Sequence, residues 1–171
     1  MKKITLFVIF SLFGFFLSAQ QNDASKGTKT KFTEFTSQSG IIMSFEDYNN
    51  MTFDTWRGSL TAKKRIVKKV SEQKVFLILE ISGNSAEIAE DDFADLFKAV
   101  STLQNDASID VNSNSEYMEK YYATKDNFRI GYYVSNKQVK WYVYVDTRLS
   151  DSIFLIKNFD SFITKIKTIV S

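Results

Sequence analysis

The stretch Lys140-Trp-Tyr-Val-Tyr-Val-Asp146, then Ser152-Ile-Phe-Leu-Ile156, then Asn158-Phe-Asp-Ser-Phe-Ile-Thr-Lys-Ile166 reads as a strand, a short second strand and an amphipathic helix. A similar text stands 66 residues earlier: Lys74-Val-Phe-Leu-Ile-Leu-Glu80, Ala86-Glu-Ile-Ala89, then Asp92-Phe-Ala-Asp-Leu-Phe-Lys-Ala-Val100. Lys74 matches Lys140, Glu80 matches Asp146 and Phe93 matches Phe159. The two passages fit a unit that occurs twice.

Helix stripes anchor both copies. Phe93, Leu96, Phe97, Val100 and Leu103 fall at i, i+3, i+4, i+7 and i+10, one face of a helix. Phe159, Phe162, Ile163, Ile166, Ile169 and Val170 form the second stripe. Asp92 and Asn158 stand at the two N-cap positions, while Lys165 and Lys167 near the second C-terminus suit its dipole. The polar stretch Asn105–Ser115 is expected to be a loop. Its segment Asp110-Val-Asn-Ser-Asn114 opens like a calcium loop, but Ser115 replaces the turn glycine and Tyr121 the bidentate glutamate.

Phe128–Val134 and Val139–Asp146 form a hairpin when closed at Asn136-Lys137. That register opposes Val134 to Val139, Tyr132 to Trp141, Ile130 to Val143 and Phe128 to Val145, all on one face. A one-residue slip would expose Trp141 and the valines. Working back, Glu116–Ala123 is a strand, and Val75–Ile81, apolar on both faces, is a central one. Thr61–Val70 suits an edge strand with protective lysines. Ser39–Tyr48 is a first strand, and Asn49–Leu60 a loop carrying Trp56 and Arg57. The expected fold is α+β: an antiparallel sheet with two amphipathic helices packed on it, a ββββα unit read twice. This order is similar to that of the Whirly and PUR single-strand nucleic-acid binders. The resemblance is one of topology, spans most of the chain after residue 31, and carries no functional residue across.

Met1-Lys2-Lys3, the apolar run Ile4–Leu17 and the small residues Ser18-Ala19 have the three-part pattern of a secretory signal peptide. The run is shorter than the roughly 20 residues a bilayer needs, so residues 1–20 are expected to be cleaved. Residues 21–31 are expected to be a disordered polar leader, and residues 32–171 one domain. The protein is then secreted or periplasmic, with no transmembrane span in the mature chain. Without Lys2 and Lys3 the 22 basic residues fall to 20, equal to the acidic ones. A neutral total gives no general pull toward nucleic acid or membrane. The charges are nonetheless segregated: Arg57–Lys74 is a basic run, and Glu80–Glu119 is acidic apart from Lys98.

The second face of the hairpin is the unusual surface. It collects Arg129, Gly131, Tyr133, Lys140, Tyr142, Tyr144 and Asp146, with Tyr133 opposite Lys140, Gly131 opposite Tyr142 and Arg129 opposite Tyr144. Glycine would leave the space over Tyr142 open, and rings beside cations can form a stacking platform. Arg129, Tyr133, Lys140, Tyr142 and Tyr144 are the candidate ligand-binding residues. Catalysis has less support. The chain has no histidine and no cysteine, which removes the usual neutral-pH base, thiolate chemistry and most zinc sites. It also has no phosphate loop, dinucleotide fingerprint or nucleophile elbow, so neither cofactor nor metal is expected. A binding protein for a protein, peptide or glycan is the first expectation. Single-stranded nucleic acid on the tyrosine face is an alternative, and a carboxylate-based hydrolase a second.

Overall fold

The computed structural model describes residues 29–56 and 58–171. The signal-like segment 1–20 and most of the polar leader lie outside them. Three helices and eight strands follow in the order α1 (Lys31–Thr36), β1 (Ser44–Thr55), β2 (Gly58–Lys68), β3 (Gln73–Ile81), β4 (Asn84–Ala89), α2 (Phe93–Asp110), β5 (Tyr117–Ala123), β6 (Arg129–Ser135), β7 (Gln138–Tyr144), β8 (Ile153–Ile156) and α3 (Phe159–Val170). All strands belong to one antiparallel sheet, ordered β4-β3-β2-β1-β8-β7-β6-β5. The fold is α+β, and ββββα occurs twice, with the second set of strands following the first across the sheet. The helices of the two sets begin at Phe93 and Phe159, the 66-residue offset seen in the sequence.

The hairpin of β6 and β7 has the expected register, including Val134 with Val139, Tyr132 with Trp141 and Ile130 with Val143. Asn136 and Lys137 both have positive φ (52° and 57°), as a two-residue turn matched to strand twist requires. β3 is buried on both faces from Phe76 to Leu79, as a central strand should be.

Several boundaries differ from the expectation. Asn49–Leu60 is not a loop: β1 runs on to Thr55, and β2 starts at Gly58. The ladder between them shifts at Tyr48/Met51. In that bulge Asn49 takes φ 54° and donates through Nδ2 to the Ile169 carbonyl (3.2 Å), while Lys64 Nζ donates to the Val170 carbonyl (3.3 Å). The bulge thus supplies a donor to the last carbonyls of α3, which have no partner within the helix.

β2 is not an edge strand but sits between β1 and β3. Its basic residues cross-link strands: Arg65 grips Asp47 in a bidentate pair (2.6 and 2.8 Å), and Lys63 reaches Asp47 and Glu80 (3.1 and 3.0 Å). α2 extends past Leu103 to Asp110, with Ala107 continuing its buried stripe one turn beyond Leu103. Asp92 stands at its N-cap without capping it and instead pairs with Lys31 Nζ at 2.7 Å. Asn158 does cap α3, accepting from the Ser161 N–H at 3.0 Å.

The helices are exchanged between the halves. α2 follows β4 yet packs on β5 and β6, and α3 follows β8 yet packs on β1 and β2. One core results, shared by Leu60, Leu77, Leu79, Leu96, Ile130, Phe154, Phe162 and Ile166. Phe159 stacks on Trp141 at 3.7 Å between centroids. α1 lies on the opposite face of the sheet, where Phe35 and Phe32 cover Val67, Phe76, Ile78 and Ala89. Lys31, read from sequence as part of the leader, opens this helix and joins the two sheet edges. Its ammonium holds Asp91 and Asp92 after β4, and its N–H reaches Asp126 (3.5 Å) in the turn between β5 and β6.

Candidate functional site

Because α2 and α3 share one face of the sheet and α1 covers only β2–β4 on the other, no described helix covers the second face of β5–β8. Strand alternation brings Tyr133, Lys140, Tyr142, Tyr144 and Arg129 together there, opposed as the sequence implied: Tyr133 to Lys140, Gly131 to Tyr142, Arg129 to Tyr144. β5 then extends the surface, since Glu119 pairs with Tyr133 and Tyr121 with Gly131.

The rings pack against one another in a row. Tyr117 stacks on Tyr133 (6.0 Å, 25°), Tyr133 meets Tyr142 at 6.5 Å, and Tyr142 meets Tyr144 nearly perpendicular at 5.7 Å. Tyr142 ends up at 1% exposure. It is therefore not an open stacking ring but the floor beneath its neighbours. Tyr133 and Tyr144 are half-buried, whereas Tyr117 (58%) and Tyr121 (49%) are exposed. Gly131 does not leave a free space. A Cβ there would lie 2.4 Å from the Lys120 carbonyl and 2.6 Å from Tyr121 Cβ, so the missing side chain admits the close approach of β5.

Two polar groups are built into this floor. Glu119 accepts from the Tyr142 hydroxyl and from the Tyr117 hydroxyl (3.1 Å). Burial, with the Glu119 carboxylate adding to it, pushes the Tyr142 phenol far above its ordinary range, so the hydroxyl stays protonated and donating. The Arg129 guanidinium lies 4.0 Å from the Tyr121 ring and 5.6 Å from the Tyr144 ring, a cation between two π faces. Its Nε is buried and has no hydrogen-bond partner among the described residues.

Beyond Lys140 the face opens into a groove of about 610 Å³. It forms where β7 outruns β8: Trp141 pairs with Ile156, and β8 ends there, leaving Gln138–Lys140 beside Lys157. Trp56, from the turn after β1, stands at the groove with 69% exposure, and Lys157 Nζ lies 5.9 Å from its ring centroid. The sequence placed Trp56 in a loop and did not single it out. The residues that meet it come from about 80 and 100 positions downstream, and no local pattern connects them.

The carboxylates are mostly committed elsewhere. Lys31 holds Asp91 and Asp92, and Lys120 holds Asp106 and Asp110 (3.0 and 2.8 Å). Asp110, from the calcium-like segment, also accepts from the Tyr132 hydroxyl at 2.5 Å. Lys120 and Tyr132 together hold that carboxyl below its ordinary value, the reverse of what a general acid needs. In the basic run, Lys63, Arg65, Lys68 and Lys69 each hold a carboxylate.

Compared with known protein families, curated proteins and solved structures, the chain matches none. The likeness in strand order to the Whirly and PUR proteins thus has no structural match beside it.

Proposed function

We propose that this is an exported, non-catalytic binding protein that takes its ligand on the open face of β5–β8. The observation that carries the proposal is the contrast between the two halves of one sheet face. Over β2–β4 that face is covered by α1, and β1–β3 are cross-linked on it by Asp47, Arg65, Lys63 and Glu80, with Phe45 half-exposed at the margin. Over β5–β8 it presents exposed tyrosines, a ring-held arginine and a groove. Exposed aromatic rings with a few placed polar groups are what a ligand surface uses. Ion-pairing within the basic run weighs against nucleic acid, because binding a phosphate backbone draws on free cations. Export rests on the pattern of residues 1–20, and among the described residues no helix is long and apolar enough to cross a membrane.

The test is a binding screen with oligosaccharides, peptides and single-stranded oligonucleotides, run on the native chain and on Tyr121→Ala. The variant should lose the ligand with little change in melting, since half of that ring is in solvent. A ligand bound equally by both, yet lost on substitution of the β1–β4 half, would refute the assignment. Intact mass of the protein recovered outside the cytoplasm should show loss of about 20 N-terminal residues.

A further inference from the structure

We propose that the groove walled by Trp56, Lys140 and Lys157 is the subsite for the carboxylate-bearing sugar of an acidic glycan, a uronate. This rests on the binding face proposed above and names its ligand class. Lys140, which precedes Trp141, and Lys157, which follows Ile156, line one groove just beyond the last rung of β7 and β8. Both are exposed, and among the described residues neither has a carboxylate in ion-pair range, whereas Lys31, Lys63 and Lys120 hold two each. Two like charges sharing one groove repel. An anion seated between them removes that repulsion and gains a charge-assisted hydrogen bond from each.

The anion's scaffold follows from the other wall. Trp56 offers a flat, exposed apolar surface beside the two cations, suited to the C–H face of a pyranose. The groove, at about 610 Å³, is of a size that holds one or two sugar rings. From there the face continues past Lys140 to Tyr133 and to Glu119, an acceptor already serving two tyrosine hydroxyls. A glycan presents hydroxyls to such a carboxylate. A nucleic-acid strand, with a phosphate at every nucleotide, draws on a run of free cations, and the basic run through β2 is already ion-paired, so the glycan is favoured.

The experiment titrates tetragalacturonate, its methyl ester and an oligothymidylate against the native chain, with K140Q, K157Q, W56A and Y121A as variants and melting as the check on folding. Tetragalacturonate should bind, and the methyl ester, equal in shape but uncharged, should bind at least about tenfold more weakly. K140Q and K157Q should each weaken tetragalacturonate by about five- to tenfold, the pair being solvent-exposed, and W56A should weaken it too, all with unchanged melting. Failure of tetragalacturonate to bind, or equal affinity for the ester, overturns the uronate subsite. Oligothymidylate bound in its place, with affinity falling steeply with salt, overturns it in favour of nucleic acid. Binding weakened by Y121A and untouched by K140Q, K157Q and W56A removes the groove but keeps the face. The opposite pattern keeps the groove and removes the face.

Discussion

Tyr142 is the residue at which the two meanings of an aromatic sheet face come apart. Its ring is 1% exposed, flanked by Tyr133 and Tyr144, and its hydroxyl donates to Glu119. Tyr142→Ala removes the ring and leaves a gap that Tyr133 and Tyr144 can fill only by leaving their rotamers. Loss of a buried aromatic ring costs roughly 3–5 kcal/mol. Tyr142→Phe keeps the ring and deletes one hydrogen bond. Glu119 is solvent-exposed and still has Tyr117, so the cost should be near that of one ordinary hydrogen bond, about 0.5–1.5 kcal/mol. For a chain of this length each kcal/mol moves the melting midpoint by roughly 2–4 °C. The Ala variant should therefore melt about 6–20 °C lower and the Phe variant a few degrees lower. Urea unfolding followed by fluorescence, with the m-value unchanged, gives the same quantities. An Ala variant within about 1 kcal/mol of the native chain, the size of a typical surface change, would show that the ring stands in solvent.

Other substitutions test other parts of the scaffold. Phe162, buried in the shared core and 5.0 Å from Phe53 in an edge-on contact, should cost roughly 3–5 kcal/mol as Phe162→Ala; a urea midpoint near that of the native chain would mean α3 is not held by its stripe. Gly131→Ala places a methyl against the backbone of β5 and should cost about 1–3 kcal/mol, with faster hydrogen exchange in β5, which has β6 as its one partner strand; a neutral result would show that the strands are further apart. Asp47, hydrogen-bonded by Arg65 and then by Lys63, has its carboxyl lowered to about 2, against roughly 3.9 in an unfolded chain. Its contribution is therefore present above about pH 4 and is lost as pH falls toward 2. Native chain and Asp47→Asn should differ in urea midpoint near neutrality, converge in acid, and differ less in high salt; a gap independent of pH would exclude the ion pair as its source.

The parts legible in the sequence are those fixed by local patterns. Alternation about Asn136-Lys137 set the hairpin register, and the 3.6-residue stripe after Asn158 set α3. What the sequence did not reveal depends on partners far along the chain. Asn49-Asn50 reads as a loop because asparagine is a poor strand residue, and the reason for the bulge lies in the C-terminus of α3, 120 residues away. The lysines of β2 read as edge protection because their carboxylates lie on β1 and β3. The spacing of the tyrosines was plain, but not that β5 would dock against Gly131, bring Glu119 to the Tyr117 and Tyr142 hydroxyls and bury Tyr142. The signal for Ala107 was available as a continuation of the α2 stripe, masked by Asn105, Asp106 and Ser108 on the outer side.

The exchange of helices joins the scaffold to the open face. Each ββββα unit contributes four strands to the sheet, but its helix packs mainly on the other unit's strands, so one core is shared between the units. The two units cannot slide apart, and β1 and β8 need pair at only one rung, Thr55 with Ile156. That short seam leaves β7 longer than β8 at this end, with Trp56 turning out beside it and Lys140 unpaired on its β8 side. Sequestering both long helices on one face also leaves the other face with α1 alone among the described helices, too short to cover more than one half. The open half and the groove at the seam are thus consequences of one topological choice, which leaves exposed tyrosines on β5 and, among the described residues, two lysines without a carboxylate partner beside the seam.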